Sequence, residues 1–415
     1  MKRRTLLAAG GAAAILPLAL LFKRTARPAA AASVLARDPA RILDLPPGFR
    51  YRVLDRPLSP MSDGLRTPGL PDGMGCFTGP GQTWVLMRNH EVDRTAALGA
   101  GAPAKHAYDA RAYGGVTRLV VDRASLELVS SNLVLTGTLR NCSGGVSPFG
   151  WLTCEESMEP GHGYVFRCRT EAQRVSPPER IPAYGRFNHE AACVDPETLV
   201  AYLTEDRADG CLYRSVPHDK AKPFEGKLQA LRVKGSPGFD TAVNLPPGKE
   251  LAVDWVDVPD PDPKDDTLRH SARAKGAAIV RRGEGIVFDH DRLFVAATTG
   301  GRNGTGQILK LSLRASGDTL STAAESPNDD VLEHPDNLAL APWGDLYMAE
   351  DGLGSQYVRG LSPRGVVFDV ARNAAGYGEV AGICFSPDGK VLFLNLQREG
   401  YTLAVTGPFE RLSAS

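Results

Sequence analysis

Pro335-Asp336-Asn337-Leu338-Ala339-Leu340-Ala341-Pro342-Trp343-Gly344-Asp345-Leu346-Tyr347-Met348-Ala349-Glu350-Asp351 reads as an acid, an apolar run, a turn and a second apolar run that ends in two acids. Pro, Gly and Asp are turn formers. The runs on either side have the length of strands, so the stretch predicts a β-hairpin. The same grammar recurs at Glu190 (EAACVDPETLVAYLTED), Glu284 (EGIVFDHDRLFVAATTG), Ala381 (AGICFSPDGKVLFLNLQ), Asp72 (DGMGCFTGPGQTWVLMRNHE) and Cys142 (CSGGVSPFGWLTCEE). That makes a set of six.

Further apolar runs follow the hairpins, among them Gly163–Arg167, Cys211–Arg214 and Gln307–Leu311. Six hairpins extended by outer strands predict an all-β fold, a six-bladed β-propeller. The stretch from Pro217 to Lys275, rich in Pro, Asp and Lys, reads as an insertion across one face. Only Thr402–Val405 follows the last hairpin, so Arg50–Leu54 is expected to complete that blade and close the ring.

The repeat also predicts where the chemistry lies. The second strand of a hairpin runs antiparallel to the first. The start of one and the end of the other therefore share a face. The starts are Asp72, Cys142, Glu190, Glu284 and Asp336, with Glu379 just before Ala381. The ends are His90-Glu91, Glu155-Glu156, Glu205-Asp206 and Glu350-Asp351. Singly, an acid at a strand end caps a turn or faces water. Jointly, so many carboxylates at one channel mouth would repel one another without cations. Oxygen-rich clusters suit calcium, and the Cys142 thiolate among them suits a transition metal as well. His90, His189 and His334 stand close enough to orient ligands or donate to an anion.

Lys+Arg and Asp+Glu are both 48, so no global basic field exists to attract nucleic acid. Lys2-Arg3-Arg4, an apolar stretch from Leu6 to Phe22 and Ala30-Ala31-Ala32 form a signal-peptide layout over residues 1–32. Arg3-Arg4-Thr5-Leu6-Leu7 is similar to a twin-arginine signal, with Leu6 where Phe is usual. Residues 33–415 then form a single catalytic domain, exported to the periplasm or beyond by the twin-arginine machinery and expected to be a monomer. The seven Cys fit no zinc template, and at least one must stay unpaired. Cys76, Cys154, Cys193 and Cys384 fall inside apolar strands and read as core. Cys168 and Cys211 are the pair left open to a disulfide.

At these same residues the chain resembles the PhoX-type alkaline phosphatases. The resemblance runs through Asn89-His90-Glu91, Gly114–Leu119, Asn141-Cys142-Ser143-Gly144-Gly145, Trp151–Glu156 and Gly185–Glu190. It continues through Thr204-Glu205-Asp206, Arg282-Gly283-Glu284-Gly285, Pro335–Leu338, Glu350-Asp351-Gly352 and Glu379–Gln397. It implies an exported hydrolase of phosphate monoesters with a two-iron, multi-calcium cluster. Cys142 then binds iron. Arg282 clamps phosphate and Glu284 ligates metal; Asn141 is a candidate phosphate donor. Glu156, Glu190, Glu205, Asp206, Asp336, Glu350, Asp351 and Glu379 complete the expected metal set, with Asp72, Glu91 and Glu155 beside them. Phe149-Gly150-Trp151 looks trimmed where the family more often reads Trp-Gly-Thr-Trp. Two other readings compete: a calcium-dependent propeller lactonase or esterase, and a non-catalytic surface propeller with structural calcium.

Overall fold

The computed structural model describes residues 35–100 and 104–413; the proposed signal segment lies outside them. Among the described residues, no helix is long and apolar enough to cross a membrane. All six quoted repeats are antiparallel hairpins: Pro71–Thr78 with Thr83–His90, Asn141–Ser147 with Gly150–Glu155, His189–Val194 with Ala201–Glu205, Gly283–Asp289 with Arg292–Ala297, Pro335–Leu340 with Leu346–Glu350, and Val380–Phe385 with Val391–Leu396. Outer strands extend each of them. Four sheets stand alone, and the third and fourth hairpins share a nine-stranded sheet, joined where Leu251–Asp257 pairs with Thr319–Glu325.

The first strands of the hairpins touch in a closed cycle. Pro71–Thr78 meets Asn141–Ser147, which meets His189–Val194, then Gly283–Asp289, then Pro335–Leu340, then Val380–Phe385, which returns to Pro71–Thr78. The result is a propeller-like arrangement around a channel. Adjacent sheets bury apolar faces against each other, as with Leu152, Val165, Phe187, Leu203 and Tyr213. The chain ends interlock as expected: Arg50–Asp55 pairs with Tyr401–Thr406, with Tyr51 opposite Val405.

The stretch from Pro217 to Lys275 departs from expectation. It is not one insertion over a face, since Gly226–Val233 and Leu251–Asp257 are outer strands of the large sheet and Leu268–Ala274 is a helix. Most of the Pro and Lys residues occupy the connections, and Leu228, Ala230, Leu231 and Val233 are buried in the first of these strands. All seven cysteines are free, including Cys168 and Cys211.

One local feature repeats in every hairpin. The ladder slips by a residue between Pro71 and Met74, Asn141 and Gly144, His189 and Ala192, Gly283 and Ile286, Pro335 and Leu338, and Ala381 and Cys384. A bulge frees a residue from the ladder and re-aims its side chain. The freed residues are Asp72, Cys142, Glu190, Glu284, Asp336 and Gly382. The last corrects the sequence alignment by one position: Ala381 pairs with Asn395 as Pro71 pairs with His90.

Side chains from one hairpin pin the bulged backbone of another. Asn89 donates through Nδ2 to the carbonyls of Cys142 (3.1 Å) and Ser143 (2.6 Å). The Thr204 hydroxyl donates to the Glu284 carbonyl at 2.6 Å, and Asn395 Nδ2 to the Asp72 carbonyl at 2.6 Å. The inner strands also pack without side chains between them. A Cβ at Gly145 would overlap the Ala192 carbonyl, which is backbone and cannot swing away. Gly145→Ala is therefore expected to destabilise by about 3 kcal/mol or more, the upper range for overpacking. A urea midpoint within error of the wild type would refute this account of the ring.

Candidate metal centre

Strand parity sorts the acids at the mouth. Successive side chains on a strand point to opposite faces. His90, Glu155, Glu205 and Glu350 pair directly with the residue before each bulge. These four turn into the sheets. Glu155 accepts from the backbone N–H groups of Leu139 and Gly163 (both 2.9 Å) and lies 2.6 Å from His162 Nδ1. Glu205 accepts from Cys211 N–H and from the Tyr213 hydroxyl. Glu350 accepts from Glu333 N–H and from Arg359 Nε at 2.9 Å. His90 is held between the Gly69 carbonyl and the Thr117 hydroxyl. Each fastens the chain that follows or precedes its hairpin.

The next residue along faces the mouth. Glu91, Glu156, Asp206 and Asp351 meet the bulged residues there. Among the described residues, three groups have ligand atoms within 4.8 Å of one another: Cys142, Glu156 and Glu190; Glu190, Glu284 and Asp336; and Asp72, Glu91 and Glu379. Glu190 belongs to two of them and is placed to bridge. Asp206 and Asp351 lie near enough to repel Asp336. Gln397 Nε2 ties the third group together, donating to Asp72 at 2.8 Å and to Glu91 at 2.9 Å.

This assembly strains against its own charge. Burial, then repulsion from Glu91 and Asp336, holds the Asp72 carboxyl well above the usual range. Glu190, Glu284 and Glu379 are raised in the same way, by burial first and by neighbouring carboxylates next. Asp336 is pushed up to about 8 by burial and by Asp351. Glu156 is pushed up to about 7 by burial, against the pull of Arg140. Burial and Glu190 push the Cys142 thiol up as well. Bound cations would reverse every one of these costs at once. The donor set, one sulfur among carboxylate oxygens with a shared Glu190, fits metal ions.

Two guanidiniums face the acids. Arg282 donates through Nε to Asp206 at 2.8 Å and lies 2.9 Å from Glu284. Arg140 donates through Nε to Glu91 at 3.1 Å and through Nη2 to Glu156. Sequence reading missed Arg140. Its signal was positional: Arg140 stands two residues before Cys142, as Arg282 stands two before Glu284.

Other expected residues sit outside the group. Asn141 is fully buried, donates to the Thr153 hydroxyl at 2.9 Å and accepts from the Thr138 hydroxyl. His189 is stacked on Phe187 and pushed down to about 3 by burial, so it is neutral. His334 is half-buried, 3.9 Å from Glu333. A cavity of about 1000 Å³ opens elsewhere along the inner strands, lined by Met74, Trp151, Ile286, Trp343 and Phe385. It contains none of the clustered acids, so its size says nothing about the chemistry at the mouth.

No curated protein matches the chain. Among solved structures, Pseudomonas fluorescens PhoX in complex with vanadate, a transition state analogue, is similar at a TM-score of 0.70 and 19% identity, covering 91% of this chain and 97% of that one. A Trichoderma reesei carbohydrate-active enzyme of family AA12 gives 0.46 at 8% identity, covering 89% and 98%. A Xanthomonas campestris gluconolactonase gives 0.39 at 12%, covering 87% and 99%. The profile of the alkaline phosphatase PhoX family matches residues 31–134 and 130–400, nearly the whole described chain. The chain belongs to the alkaline phosphatase PhoX family.

Proposed function

We propose that the chain is an exported phosphatase that hydrolyses phosphate monoesters at the acid-lined mouth of its channel. One observation carries this reading. Cys142, Glu156, Glu190, Glu284 and Asp336 form two metal-sized groups that share Glu190, and Arg282 stands beside them. Iron at Cys142 and calcium among the all-carboxylate groups is the occupancy that ligand softness favours. When bound, the cations would neutralise phosphoryl charge and activate water.

The protein's own part is positioning. Phosphoryl transfer needs charge neutralisation and an in-line nucleophile more than covalent chemistry from side chains. Arg282 is already bidentate on Asp206 through Nε and Nη2, and its Nη1 is left to donate to a phosphate oxygen. Asp206 and Glu284 fix the guanidinium, so little rotamer freedom remains to lose. Because Asn141 is committed to Thr138 and Thr153, its role is to hold the turn that presents Cys142. Glu205, Glu350 and Glu155 act as struts behind the mouth. The fold reading is a six-bladed propeller in one domain over 33–415, with the nine-stranded sheet as two blades joined at their edges, and residues 1–32 as a twin-arginine signal.

Full-length chain loaded with iron and calcium is expected to hydrolyse p-nitrophenyl phosphate. Arg282→Ala should lower kcat/KM by about 100-fold, the weight of a charge-assisted clamp. Turnover of lactones with none of phosphate esters would overturn the reading.

A further inference from the structure

The residue two places before each bulged position forms its own ring: Leu70, Arg140, Asn188, Arg282, His334 and Val380. Four of these six, Leu70, Arg140, Arg282 and His334, take the left-handed backbone conformation, with φ of 46°, 49°, 48° and 46°. None is glycine, and a non-glycine residue there carries strain that surrounding structure must hold. The polar members fall on consecutive hairpins, the second to the fifth. The mouth therefore has a donor arc on one side, running Arg140, Asn188, Arg282, His334. Asn188 Nδ2 donates to Glu156 at 2.8 Å, which puts it between the two arginines.

Arg140 and Arg282 match in more than position. Each grips two acids of the mouth, Glu91 and Glu156 for the one, Asp206 and Glu284 for the other. Among the described residues, the hydrogen bonds of both use Nε and Nη2 and leave Nη1 over. Their side chains are 45% and 34% exposed, so neither guanidinium is sealed off by its acids. Two partly exposed cations, each fixed by acids and each with a donor nitrogen left over, are an arrangement that suits an anion bearing several oxygens. We infer that Arg140 is a second substrate-anchoring residue, binding the phosphoryl group of the ester from the same arc of the mouth as Arg282. The inference rests on the phosphatase reading of the same mouth and adds a residue to it. The competing role is a structural one, in which Arg140 only restrains Glu91 and Glu156.

The test uses the full, metal-loaded chain as wild type, Arg140→Ala and Arg140→Lys. Three quantities are measured: metal content, KM and kcat for p-nitrophenyl phosphate, and the dissociation constant of inorganic phosphate by calorimetry. Anchoring predicts that KM and the phosphate constant each rise at least about tenfold in Arg140→Ala, the effect of losing a charged hydrogen bond. Metal content should be unchanged, and Arg140→Lys should recover only part, since it keeps the charge and loses the fork. Unchanged phosphate binding in Arg140→Ala would overturn the inference. So would a loss of binding that follows a loss of metal. If wild type hydrolyses the ester and the variant matches it, this inference alone fails; if wild type neither binds phosphate nor hydrolyses the ester, the phosphatase reading fails with it.

Discussion

Removing the cations from the folded protein with a chelator is expected to abolish activity and to lower the melting temperature together. Cys142, Glu156, Glu190, Glu284, Asp336 and Asp72 are buried around one channel mouth, and two arginines are too few to neutralise them. Ions that bind only the native state stabilise it by mass action, by about 4 kcal/mol when free ion exceeds its dissociation constant a thousandfold. The metal-free protein should also show a distinct pH response. Its mouth carboxyls have folded pKa values raised above their unfolded ones, Asp336 to about 8 and Glu156 to about 7. A raised group is protonated in the fold and must lose its proton as pH climbs. Its stabilising effect is complete below about 4 and gone above about 8. The metal-free protein should therefore melt at progressively lower temperature as pH rises across that window. The loaded protein should be flat there, because metal holds the carboxylates ionised. Equal melting curves for both forms at pH 8, after verified metal removal, would count against a shared cluster.

The ring of chemistry was legible in the sequence because the repeat is written in residue types. Five of the six bulged positions carry an acid or a cysteine, and turn residues mark each hairpin. What the sequence did not show was the bulge. An ideal strand would turn Asp336 and Leu338 to one face, but the slip between Pro335 and Leu338 breaks that parity. The same parity separates the paired acids at the strand ends. In Glu155-Glu156, Glu205-Asp206 and Glu350-Asp351 both members look alike by composition. Only the pairing of Glu155 with Asn141, Glu205 with His189 and Glu350 with Pro335 shows that the first turns inward to brace the sheet. The acid pair is thus one strut and one candidate ligand.

Arg140 was missed for a related reason. The notable motif begins one residue later, at Asn141-Cys142, and draws the eye past the arginine. Aligning the copies on their bulged residues, rather than on their apolar runs, puts Arg140 over Arg282 at once. The same alignment moves the sixth copy to Gly382 and explains its silence at the mouth: a glycine at φ of 60° lies against the Asp72 backbone, where any ligand side chain would collide. Glu379, from the approach to that strand, occupies the vacant sector instead and joins Asp72 and Glu91.

Cys142→Ala is expected to destroy turnover while leaving the propeller folded. Cys142 begins an inner strand whose backbone is pinned independently of its own side chain, by Asn89 on the Cys142 and Ser143 carbonyls. Its thiol lies 3.3 Å from the His189 carbonyl and hydrogen-bonds the Glu190 carboxylate. Removing one sulfur there should cost about 1–3 kcal/mol, which a ring of interlocked sheets tolerates. The chemical loss should be far larger, because a thiolate binds a transition metal as no alanine can, and Glu156 and Glu190 would be left sharing an ion with one ligand fewer. Iron content, visible absorbance and phosphate-ester turnover should fall together, with calcium at the Asp72 group retained. Cys154→Ala supplies the control. Cys154 is fully buried among Leu152, Val165 and Leu203 and belongs to none of the three ligand groups. Its loss should lower the melting temperature and spare both iron and turnover. A Cys142→Ala enzyme that keeps its iron and still hydrolyses p-nitrophenyl phosphate near the wild-type rate would remove Cys142 from the metal centre and leave the carboxylates alone to account for it.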